Sequence, residues 1–73
     1  MSPDTVARLA SAVLTSEEGS IEWSEAFAAY QNACDDVGLH YSGWNDYLRG
    51  SDTAEELIAH TLPRAIVAAG GEL

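Results

Sequence analysis

His40, Ser42 and Asp46 are the residue types of a base, a nucleophile and an orienting acid, and they lie within seven positions, HYSGWND. Serine attack requires these groups to meet in one packed pocket. A single short connector rarely folds back on itself tightly enough to do that. A loop histidine and a helix-capping serine are the simpler expectation. Cys34, Asp35, His40 and His60 could in principle ligate a metal. Their spacing matches neither the paired Cys and His of zinc sites nor a calcium loop, so no metal is expected. Glu17-Glu18 and Glu55-Glu56 are adjacent carboxylates. They fall at expected helix starts, where solvated acids favour the positive end of the helix dipole. No glycine-rich phosphate loop follows a strand. The sequence therefore predicts no catalytic residue and no cofactor.

The clearest element that could position anything is Ile21–Val37, IEWSEAFAAYQNACDDV. Trp23, Phe27, Tyr30, Cys34 and Val37 fall at steps of four, three, four and three. At about 100° per residue they share about 80° of arc, one apolar stripe on a helix. Glu22, Glu25, Asn32 and Asp36 project on the opposite side. Cys34 reads as a small buried hydrophobe rather than a reactive thiol.

Before this helix, Ser2-Pro3-Asp4 gives a cap, a first-turn proline and a dipole-facing acid. Val6, Leu9, Ala10 and Val13 then predict a helix over about 3–14, with Arg8 and Ser11 pointing away. In the turn TSEEGS, Thr15 and Glu18 have capping-box spacing, which would begin a helical turn early. Ser20 is the better cap for the central helix. Gly38 suits its left-handed end. Ser42 can cap a short helix over 44–49 that Gly50 ends. A last helix is expected from about Thr53 to Ala69, with Asp52 and Glu55 at capping-like spacing. Its stripe is Leu57, Ile58, Thr61, Leu62, Ala65, Ala68 and Ala69, with His60 on the polar side. Pro63 should kink or break it. Gly70-Gly71 ends the element, and Glu72-Leu73 should fray. The fold class is all-α: a small compact bundle of three main helices plus one short helix, in a single acidic domain over 1–73.

Composition sharpens the functional question. Twelve acidic residues face three arginines, there is no lysine, and the formal net charge is −9. Such a chain repels nucleic acid and anionic membranes and attracts basic surfaces. Plain solubility is the competing reading. High net charge also favours disorder, but 47% hydrophobic residues with clear periodicity oppose it. A single cysteine allows no disulfide within the monomer and fits a reducing compartment. No targeting segment or ~20-residue apolar span is read, so a soluble cytoplasmic protein is expected.

Size, acidity and helix content are shared with acyl carrier proteins. Their hallmark is Asp-Ser-Leu opening a long acidic helix, with phosphopantetheine on the serine. Here Ser42 stands in His40-Tyr41-Ser42-Gly43-Trp44, without the Asp and the Leu, and Gly50 cuts the following helix short. The resemblance covers composition only, and the prosthetic group is not carried over. In size and charge the chain also resembles small acidic phage inhibitors, including anti-CRISPR proteins and DNA mimics, again with no shared motif. That resemblance implies the cytoplasm of a host cell.

Two surfaces follow as candidates for partner binding. One is acidic: Glu17, Glu18, Glu22, Glu25, Asp35, Asp36, Asp46 and Asp52. Glu25 to Asp36 spans roughly 16 Å along the helix axis, a length over which strand phosphates repeat several times. The other is aromatic: Tyr41, Trp44 and Tyr47, residue types that anchor protein interfaces, although Trp44 and Leu48 could equally complete the core. The function expected is a non-enzymatic inhibitor that occupies a basic, nucleic-acid-binding surface of another protein. The alternative is a helical adaptor, antitoxin or immunity subunit that uses the aromatic patch and can self-associate.

Overall fold

A computed structural model describes residues 2–40 and 53–71 of the chain. Among the described residues three helices form: α1 (Pro3–Thr15), α2 (Ile21–Asp36) and α3 (Ala54–Ala68). The described residues contain no strand. The expected short helix over 44–49, with Ser42 and Gly50 at its ends, lies outside the described residues, as do Asp52 and Glu72-Leu73.

Each helix opens on a hydroxyl cap. Ser2 Oγ accepts from the Thr5 amide at 3.2 Å, and Pro3 follows at the first helical position. Ser20 Oγ accepts from the Trp23 amide at 3.1 Å. At α3 the cap is Thr53, whose Oγ1 accepts from the Glu56 amide at 3.2 Å. The Thr53–Glu56 spacing, one residue beyond the expected Asp52–Glu55 pair, thus starts this helix. Thr15 does not begin a new turn. It ends α1, and its hydroxyl donates back to the Ser11 carbonyl at 2.9 Å. A hydroxyl satisfied within its own helix is not available to cap the next.

α2 closes at Gly38, with φ of +87°. The Leu39 amide donates to the Cys34 carbonyl at 2.8 Å and the Gly38 amide to the Asp35 carbonyl at 3.0 Å. This paired closure needs a left-handed residue, which glycine adopts without a Cβ penalty. Leu39, just beyond it, packs against the core. Gly70 and Gly71 close α3 by the same bonding pattern, to Val67 and Ile66. A Cβ on Gly71 would stand 2.8 Å from Ile66 Cγ2 and 2.9 Å from Pro3 Cβ, so only glycine fits there unless its neighbours shift.

That contact places the end of α3 beside the start of α1. At the opposite end, Val13 and Leu14 of α1 share a cavity wall with Trp23 of α2 and Ala54 of α3. α1 therefore runs antiparallel to both partners, and it forms the two extensive helix interfaces among the described residues. Its contacting face is small: Val6, Ala10 and Val13, all buried. Small side chains let two helices approach one neighbour closely. The bulk comes from α2, through Phe27, Tyr30 and Cys34, and from α3, through Leu57 and Ile58. Thus α2 is two-faced as expected, but α1 holds the bundle together.

α3 runs unbroken through Pro63, so of the expected kink or break the break does not occur. Ala59 and Pro63 are both exposed. The carbonyl that loses its donor therefore lies on the outer side of the helix, where water can replace it. Of the expected stripe, Leu57, Ile58, Thr61 and Ala65 are buried, while Ala68 is exposed. Ala54, not expected in the core, is buried at the start of the helix. No described helix is long and apolar enough to cross a membrane.

Candidate protein-binding surface

The buried side of α2 fixes what its other side presents. Phe27, Tyr30 and Cys34 are held in the core, and Trp23 stacks on Phe27 with ring centroids 5.3 Å apart. Across the helix, Glu22, Glu25, Asn32 and Asp36 are all exposed. Glu22, Glu25 and Asp36 make no ion pair among the described residues.

A buried polar chain sets the rotation of α2 against α3. Thr61 Oγ1 donates to the Leu57 carbonyl at 2.8 Å, which uses its only proton. The Tyr30 hydroxyl, 2.7 Å from Thr61 Oγ1, is therefore the donor of that bond. Tyr30 is fully buried and Thr61 nearly so. Burial pushes the Tyr30 hydroxyl well above its ordinary titration range. Burial likewise raises the Cys34 thiol, which lies beside the Tyr30 hydroxyl. A thiol held protonated in the core is a packing group rather than a nucleophile. Sequence patterning placed Tyr30 and Thr61 on inward faces but did not join them. The signal was present: two hydroxyl groups on inward stripes each require a partner.

Near the end of α2 the acids change character. Asp35 and Asp36 occupy the last turn, where the carbonyl ends of the helix are negative and which holds no basic residue. His40 Nδ1 lies 3.2 Å from Asp35 Oδ1, with both side chains largely exposed, at 78% and 51%. Among the described residues, this is the contact that His40 makes. Exposed pairs of this kind contribute about 0–1 kcal/mol. Ser42 and Asp46 lie outside the described residues. Cys34 is buried while Asp35, His40 and His60 are exposed, so these four do not form one pocket. The described residues hold no group of three or more His, Cys, Asp or Glu placed to bind a metal ion.

Glu17, Glu18, Glu55 and Glu56 are exposed at the end of the bundle where α2 and α3 begin. Glu18 and Glu55 line a cavity of about 180 Å³ there, together with Trp23, Thr53 and the end of α1. The acidic set therefore divides between the outer side of α2 and the end of the bundle. Asp46 and Asp52 lie outside the described residues, and so does the whole aromatic set Tyr41, Trp44 and Tyr47. No protein-family model matches the chain, and neither a curated protein nor a solved structure matches it.

Proposed function

We propose that the protein is a non-enzymatic inhibitor whose acidic α2 surface occupies a basic, nucleic-acid-binding surface on another protein. The observation that carries this reading is the position of Asp35 and Asp36. Acids at a helix start are explained by folding, since they stabilise the dipole there. Two aspartates in the last turn of α2, with no basic residue in that turn and only the exposed His40 beside Asp35, oppose it. Such a cost is expected where charge serves a surface role. Asp36, with Glu22 and Glu25, makes one solvent-facing acidic strip, and Asp35 flanks it. Steering toward a basic partner follows from that field.

In this role the protein works in the cytoplasm, of a host cell if it is phage-encoded, as a DNA mimic or anti-CRISPR protein would. It binds neither nucleic acid nor membrane directly. The adaptor, antitoxin or immunity reading, with possible homodimers, rests on Tyr41, Trp44 and Tyr47 and is supported by residue type alone.

Capture from a nuclease-treated lysate separates the two. A partner held by the acidic strip should be recovered at low salt and lost at high salt, because exposed charges are screened within about 8–10 Å. A partner that persists at high salt supports the aromatic patch instead.

A further inference from the structure

We draw no further inference here: the strongest candidate, the open apolar face that Leu39, just past α2, forms with Pro63, Val67 and Ala68 of α3, carries nothing because nothing among the described residues shows what covers it.

Discussion

The two ends of α2 carry similar charge and opposite electrostatics. At its start, Ser20 caps the first turn and Glu22 faces the positive pole of the dipole. At its end, Gly38 closes the backbone, but Asp35 and Asp36 face the negative pole. Folding explains the first arrangement and is opposed by the second. The lesson is that an acid count alone says little. The position of each acid relative to its helix decides whether solubility and capping suffice to account for it.

The largest effect expected on this comparison removes the anchor that holds both ends in place. Phe27 is 4% exposed and stacks on Trp23. Phe27→Ala should destabilise the domain by about 3–5 kcal/mol, a large share of the roughly 5–15 kcal/mol typical of a whole domain. Chemical denaturation measures it. A loss below about 1 kcal/mol would mean that α2 is attached by some other face.

High pH should loosen the same attachment. Burial raises the Tyr30 hydroxyl and the Cys34 thiol above their unfolded values, so the folded state retains protons that the unfolded state releases. The stability they provide is fully present below the unfolded values, about 8.5 for cysteine and 10 for tyrosine, and falls as pH rises past them. Denaturation midpoints should hold up to about pH 8 and decline above it, at up to about 1.4 kcal/mol per pH unit for each group. In Tyr30→Phe the decline above pH 10 should be shallower. An unchanged slope would mean that the tyrosine does not titrate on unfolding.

The start of α2 is tested by Ser20→Ala, which removes the acceptor of the Trp23 amide. It should cost about 1 kcal/mol. No loss would show that another group supplies the cap. The smallest effects test the comparison itself. Glu22→Gln should destabilise and Asp36→Asn should stabilise, each by about 0.3–1 kcal/mol at low salt. Thermal melts of the two variants should move in opposite directions and converge as salt is added. Shifts of the same sign would remove the distinction between the two ends.

Much of this was legible in the sequence, and the exceptions have physical causes. Local signals read well because they are local. Ser2, Ser20 and Gly38 each act on amides or carbonyls within one turn. The stripe of Phe27, Tyr30 and Cys34 needs only the helical period. The start of α3 was read one residue early, since Asp52 and Thr53 are both capping types and only the Thr53 bond to Glu56 distinguishes them. Propensity alone argues against a helix through Pro63, but its outward placement lets the helix continue. The prominence of α1 was missed for another reason. Its Val6, Ala10 and Val13 form a modest stripe, and small residues gain importance only when two helices are seen to approach them. The Tyr30–Thr61 bond spans 31 positions, which no periodicity reports. At the candidate surface, exposure of Glu22, Glu25 and Asp36 was readable from the angle each makes with the stripe. The cavity beside Trp23 was not, because it exists only where three helix ends converge.

The central claim is that the outer side of α2 stands in for nucleic acid. The direct measurement is displacement of labelled DNA or RNA from the captured partner, by the wild-type protein and by a triple variant, Glu22→Gln, Glu25→Gln, Asp36→Asn. The substitutions keep side-chain size and remove three of the nine net negative charges, leaving −6. Circular dichroism should show the fold intact in both. The wild type should displace the nucleic acid, with an apparent affinity that falls steeply with salt. The triple variant should displace it poorly and with a shallower salt dependence. A triple variant that binds the partner as tightly as the wild type, with the nucleic acid retained throughout, would contradict the claim and leave this face an ordinary solvated surface.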